Sequence, residues 1–159
     1  MSSPSDKIII IAAPSGAGKT SIVRFLLNRF ETQLGFSISC ATRSPRANEK
    51  EGVDYYFISA ENFKQKISED QFAEWEMVYQ GKYYGTLRSE LSRIWSEKKV
   101  PLLDIDVKGG LRVKENYPPG SFFPTVVSFS LFTVSIVSFS HQLSLFPPLY
   151  FLSRPPPLS

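Results

Sequence analysis

The octapeptide Ala13-Pro14-Ser15-Gly16-Ala17-Gly18-Lys19-Thr20 constrains the fold of this chain more than any other feature, because of what flanks it. Residues 7–12 form a short run dominated by Ile, the pattern of a strand buried on both faces of a parallel sheet. From about residue 18 to 30, Ile22, Phe25, Leu26 and Phe30 recur at the three-and-four spacing of a buried helical stripe. Strand, glycine-bearing loop and helix in that order make a cradle for polyphosphate. Successive backbone N–H groups wrap an anion, and the helix N-terminus adds partial positive charge. Gly16 and Gly18 let the backbone approach the oxygens, Lys19 brings a mobile cation to the β- and γ-phosphates, and the Thr20 hydroxyl can ligate Mg²⁺. Ala13 stands where the general pattern has its first glycine, a mild departure because alanine is the smallest side chain available there.

The rest of the chain alternates in the same way. Strands are expected at 36–40, 55–58, 73–78 and 100–107, the last an apolar run interrupted by Asp104 and Asp106. A polar, Pro-containing loop is expected over 43–54, and a turn at Gln80-Gly81. Helices are expected at 59–68, where Phe63 and Ile67 fall four apart behind Ser59, and at 86–98, where Leu87, Leu91, Ile94 and Trp95 share a face. A further helix opens at Gly109-Gly110 and stops at Pro118-Pro119. The pattern predicts an α/β fold, a phosphate-loop parallel sheet flanked by helices.

With 159 residues the chain has room for one domain, and its formal charge of +3 comes from Lys and Arg scattered among nearly as many carboxylates. That balance implies neither nucleic-acid nor membrane-surface binding, and no protein partner is implied. Cys40 is the single cysteine and cannot form an internal disulfide, and no charged leader with an apolar core opens the sequence, so a reducing, cytoplasmic setting is expected. Cys40 reads as a packing residue, and His141, the only histidine, receives no role.

Which acceptor meets the phosphate loop is a question for the next blocks. Ser39-Cys40-Ala41-Thr42-Arg43-Ser44-Pro45-Arg46 is followed by Gly52-Val53-Asp54-Tyr55-Tyr56-Phe57, then Phe72-Ala73-Glu74-Trp75, Tyr83-Tyr84-Gly85-Thr86 and Leu103-Asp104-Ile105-Asp106-Val107-Lys108-Gly109. In order and spacing these blocks resemble guanylate kinases across residues 7 to about 121. The resemblance implies a GMP-binding subdomain, about residues 36–95, inserted in the phosphate-loop core, and transfer of a phosphoryl group from ATP to GMP with Mg²⁺. It implies that Ser39, Arg43, Arg46, Tyr55 and Tyr84 hold the GMP phosphate, and that Glu74, Thr86 and Asp106 read or support guanine. Guanidiniums suit a dianionic phosphate, and a carboxylate can accept from both N1–H and the N2 amine of guanine. Lys19 and Arg43 are the expected catalytic pair, and Thr20 and Asp104 the expected Mg²⁺ contacts.

Beyond that the texture changes. All 15 Asp and Glu residues lie at or before Glu115, and from Phe122 onward the only formal charge is Arg154. Guanylate kinases continue with another core strand, an arginine-bearing lid and further helices, a pattern that 122–159 does not show. The reading is an incomplete domain over 1–121 with a truncated core, poor in turnover and prone to aggregate, followed by a Phe/Ser/Pro-rich tail that is non-native or disordered. Two alternatives stay open: a non-catalytic guanylate-kinase-like binding module, and a nucleotide binder anchored in a membrane through the 22 uncharged residues 125–146.

Overall fold

The computed structural model describes residues 7–12, 19–117, 122–130 and 133–138, the last two segments through their backbone pairing. The elements in chain order are β1 (Ile8–Ala12), α1 (Lys19–Arg29), β2 (Leu34–Phe36), β3 (Ser39–Ala41), β4 (Tyr55–Phe57), α2 (Ala60–Ser68), β5 (Phe72–Tyr79), β6 (Lys82–Leu87), α3 (Arg88–Ser96), β7 (Val100–Ile105), α4 (Val107–Asn116), β8 (Phe122–Ser130) and β9 (Thr133–Ser138). They build two sheets. The larger has the order β2-β7-β1-β8-β9, parallel except for β9, and the smaller has the order β4-β3-β6-β5.

The larger sheet explains why β1 reads as an unbroken apolar run. Ile8, Ile10 and Ala12 pack on one face with Leu103 and Ile105 of β7, Leu91 of α3 and Val113 of α4. Ile11 packs on the other with Leu102, Leu34 and Val23 of α1. Successive residues of a strand point to opposite faces, so a strand covered on both sides must be apolar at every position. Burying each of these isoleucines contributes about 1.5–3 kcal/mol relative to leaving it exposed.

The smaller sheet has its own core, in which Phe63 of α2 is fully buried and stacks on Phe72 at 4.3 Å and on Tyr83 at 5.3 Å between ring centroids. Ser59 caps α2, its hydroxyl accepting from the Asn62 amide at 3.1 Å. Cys40 is buried here, and burial pushes its thiol up to about 12, so it is a packing residue and no nucleophile. Gly81, at φ +73°, forms the β5–β6 turn where the sequence predicts it.

Four elements differ from expectation, the first being the strand expected at 100–107, which ends at Ile105 because Asp106 caps α4. The single strand expected at 36–40 is two short ones, with Phe36 opposite Leu102 in the larger sheet and Ser39 opposite Tyr55 in the smaller. The chain changes sheets at Ser37-Ile38, and hydrophobic pattern does not register that switch. Thr86 and Leu87 end β6, where a helix is expected to have begun, because Thr86 is in register with Glu74 across the hairpin. Residues 122–130, expected as irregular tail, form β8 parallel to β1, with Pro124 opposite Ile10. β9 ends at Ser138 opposite Thr125, so among the described residues Pro124, which has no N–H to give, pairs with Ile10 of β1 alone. The proposed span 125–146 therefore falls on β8, β9 and positions outside the described residues. Among the described residues no helix is long and apolar enough to cross a membrane.

Candidate functional site

The polar side chains singled out above gather in two clusters, one at the larger sheet and one on the smaller. The first lies at the C-terminal ends of β1 and β7, where α/β sheets carry their ligands. Lys19 opens α1, and its ammonium sits 2.8 Å from Asp104 Oδ1 and donates to the Ile105 carbonyl at 3.3 Å. The contact with Asp104 is an ion pair and not an aligned hydrogen bond, so that buried oxygen keeps acceptor capacity. Thr20 follows on the first turn of α1, exposed. A hydroxyl and a carboxylate are hard oxygen donors of the kind Mg²⁺ takes. No group of three or more His, Cys, Asp or Glu gathers among the described residues. Residues 13–18 of the expected phosphate loop lie outside the described residues.

The second cluster belongs to the smaller sheet and its 43–54 loop. Arg43 donates from Nε to Tyr84 Oη at 3.0 Å, from Nη1 to the Ser44 carbonyl at 3.1 Å, and from both terminal nitrogens to Glu49, at 2.5 and 2.7 Å. Its guanidinium lies over the Tyr55 ring at 4.9 Å and the Phe57 ring at 5.6 Å. Hydrogen bonds from Arg43 and from the Arg46 amide hold the Glu49 carboxyl down at about 2, well below the usual range. Tyr55 and Tyr84 stand edge to face at 6.1 Å. Ser39 begins β3 on the same sheet, and Arg46 is exposed at the loop's rim.

Deeper along β5, Glu74 is 6% exposed and accepts from the fully buried Thr86 hydroxyl at 2.7 Å. Asp106 caps α4, accepting from the Gly109 amide at 2.7 Å. A Cβ on Gly109 would come within 3.1 Å of Glu74 Oε2 and 3.3 Å of Asp106 Oδ1, so the missing side chain is what lets both carboxylates share this corner. Burial, joined by the charge of Asp106, pushes the Glu74 carboxyl up to about 7.

A guanylate kinase family model matches residues 5–127 of the chain. The chain belongs to the guanylate kinase family. It is 48% identical over 111 residues to a guanylate kinase of Porphyromonas gingivalis, an alignment covering 70% of this chain and 59% of that protein. It is 42% identical over 117 residues to one of Chlamydia caviae, covering 74% and 57%. The crystal structure of guanylate kinase from Anaplasma phagocytophilum superposes with a TM-score of 0.60 at 28% identity, covering 76% of this chain and 58% of that one. The chain thus spans less than two thirds of the length of these relatives, and the family match runs into β8.

Of the residues that the guanylate kinase resemblance singles out, Arg43, Tyr55 and Tyr84 are in mutual contact, as are Glu74 and Thr86, with Asp106 adjoining. Lys19 and Asp104 form the other group. A guanidinium has five N–H donors, and four acceptors already engage Arg43, so while Glu49 stays it can give a ligand one N–H and not a fork. Glu49 is absent from the expected set. Its only trace in sequence is a carboxylate three residues after Arg46 in an otherwise solvated loop. Glu90 is the second omission, and its signal is clearer: it interrupts the apolar face of α3, three residues after Leu87 and four before Ile94.

Proposed function

We propose that this chain is a guanylate kinase that transfers the γ-phosphoryl group of ATP to GMP. The observation that carries the reading is the pairing, on one small sheet, of a buried carboxylate at Glu74 with the Arg43, Tyr55 and Tyr84 cluster. That combination suits a ligand with a base bearing two adjacent donors at one end and a phosphate at the other. Glu74 accepts from N1–H and N2 of guanine, and adenine offers no such pair. Thr86 fixes the rotamer of Glu74, and Asp106 adds a second acceptor beside it. Arg43, Arg46, Ser39, Tyr55 and Tyr84 hold the acceptor phosphate.

On the donor side, the glycine-bearing sequence before Lys19 and the α1 N-terminus are suited to the ATP phosphates. Lys19 leaves Asp104 for the β- and γ-oxygens, and Asp104 and Thr20 are then available to Mg²⁺. When bound, that ion neutralises charge on the phosphates. Lys19 and Arg43 supply the positive charge that draws two anions together, and no covalent enzyme intermediate is involved. A cytoplasmic setting accords with a lone, buried and unreactive cysteine.

The test is ADP release from ATP and Mg²⁺ in a coupled assay, with GMP or AMP as acceptor. GMP-dependent release well above a Lys19→Ala control supports the reading. Release with AMP as good as with GMP sinks it.

A pH dependence follows from Glu74. Its carboxyl is raised from an ordinary 4.5 to about 7 in the empty site, and guanine needs the ionised form. Between pH 8 and pH 6 GMP affinity is therefore expected to fall roughly tenfold. The same shift acts on stability with the opposite sense. The folded chain binds the proton more tightly than the unfolded chain, so this group's stabilising contribution is full below about pH 4.5 and is lost as pH rises toward 7. Calorimetric titration of GMP at the two pH values checks the first effect, and a flat profile would remove Glu74 as the base reader.

A further inference from the structure

The chain crosses between the two sheets twice, and both crossings are short. On the way out, only Ser37 and Ile38 separate β2 in the larger sheet from β3 in the smaller. On the way back, β6 ends at Leu87 and α3 begins at Arg88 with no residue between. The Ser37 amide still donates to Leu102 of the larger sheet at 3.0 Å. The Ile38 amide donates at 3.1 Å to Glu90 Oε1, on the first turn of α3. A buried backbone N–H needs a partner, and a side chain fills the place that a strand carbonyl would take.

Glu90 does more than satisfy one amide. Its carboxylate is 4% exposed and also accepts from Tyr56 Oη of β4 at 3.2 Å and from Arg93 Nε and Nη2 at 3.1 and 2.7 Å. Four donors use the whole acceptor capacity of a carboxylate. Burial alone would raise this carboxyl, yet the Arg93 bonds, the Ile38 amide and Tyr56 hold it below the usual range. The helix that bears it is anchored to the larger sheet, since Leu91, next in sequence, is fully buried with Ile8, Ile10 and Leu103. One carboxylate therefore ties the outgoing crossing, the returning crossing and a strand of the smaller sheet to a helix of the larger sheet's core.

Resting on the kinase reading above, we infer that Glu90 is a positioning residue that sets the separation of the acceptor cluster from the donor cluster, through its hold on Ile38 and Tyr56. It touches neither nucleotide. The proposed GMP-phosphate ligands all lie within or beside the smaller sheet, whereas Lys19 and Asp104 belong with the larger, so loosening the tie leaves each phosphate cluster whole and blurs the distance between them. Misplacing reacting groups by about 1 Å costs on the order of 10²-fold in such systems.

The experiment compares three ligands on the full chain by calorimetry: GMP, ATP, and an adenosine–guanosine dinucleoside pentaphosphate that occupies both half-sites at once. In Glu90→Gln the bridging ligand is expected to weaken by about tenfold or more, with GMP and ATP each within about twofold of wild type, because only the bridging ligand depends on the effective concentration of one half-site at the other. Tyr56→Phe removes one arm and keeps the Arg93 pair, and is expected to weaken the bridging ligand about two- to tenfold, the range of one hydrogen bond. Should Glu90→Gln fail to fold, Tyr56→Phe decides. Equal losses on the single nucleotides and the bridging ligand would show a role in folding alone and overturn the inference. Failure of wild type to bind GMP or ATP would overturn the kinase reading itself, before any variant is compared.

Discussion

Lys19→Ala is expected to lower turnover of the ATP-to-GMP transfer by about 10²–10³-fold, the usual effect of deleting one charge-stabilising donor from a preorganised site. The lysine lies where α1 opens beside the C-terminal ends of β1 and β7, and its ammonium is held against Asp104 and the Ile105 carbonyl. In the empty protein the two charges neutralise each other, so the variant loses the phosphate partner and leaves Asp104 without its counterion. Asp104 is about one-fifth exposed and retains water, so the stability change should be small beside the kinetic one. GMP affinity should stay near wild type because the acceptor cluster is on the other sheet. Steady-state assays with varied GMP and ATP separate these outcomes. A variant with wild-type kcat would remove Lys19 from the transfer step.

Glu74→Gln is expected to reduce the preference for GMP over AMP by about 10- to 100-fold, from loss of one or two hydrogen bonds to a charged group at about 1.5–3 kcal/mol in all. The amide keeps the shape of the carboxylate but offers one acceptor and a donor, so it cannot serve both N1–H and N2. Thr86 loses its charged partner as well. The empty variant should be more stable than wild type at pH 8, since burial disfavours the ionised carboxylate there. Calorimetry with GMP and AMP, beside a thermal melt at pH 8 and pH 5, tests both halves. Unchanged selectivity would move base reading to Asp106 or elsewhere.

Elements whose physics is local were legible in the chain. β1 declared itself because a strand covered on both faces must be apolar throughout, and α2 because a serine cap and a four-residue apolar spacing need no distant partner. The residue types of the site were legible too, since Lys19, Arg43 and Glu74 sit in blocks with a known order. What sequence could not carry was the switch between sheets at Ser37-Ile38, because its decisive partner, Glu90, is 52 residues away. Glu49 was missed for a related reason. A carboxylate in a polar loop looks solvated until the fold brings Arg43's fork onto it. β8 was hidden because 122–130 shows no sustained alternation and because a proline at 124 argues against an interior strand, while the parallel pairing with β1 that reveals it is made more than a hundred residues away in the chain.

β5 forms one border of the smaller sheet, and α4 runs along it. Lys108, Arg112 and Asn116, spaced one helical turn apart, meet Glu76, the Trp75 carbonyl and the Ala73 carbonyl in turn. The carbonyls of Ala73 and Trp75 are thereby taken, and a second copy of the chain finds fewer acceptors along this half of the border on which to stack. The cover arrives late, since the partners are 37 and 43 residues apart in the chain. On a ribosome β5 and β6 can pair well before α4 exists, so there is an interval in which the hairpin is formed and its border bare. Substitutions that weaken α4, Asn116→Ala among them, should therefore show first in the yield of soluble chain during synthesis and only later in the melting temperature of what survives.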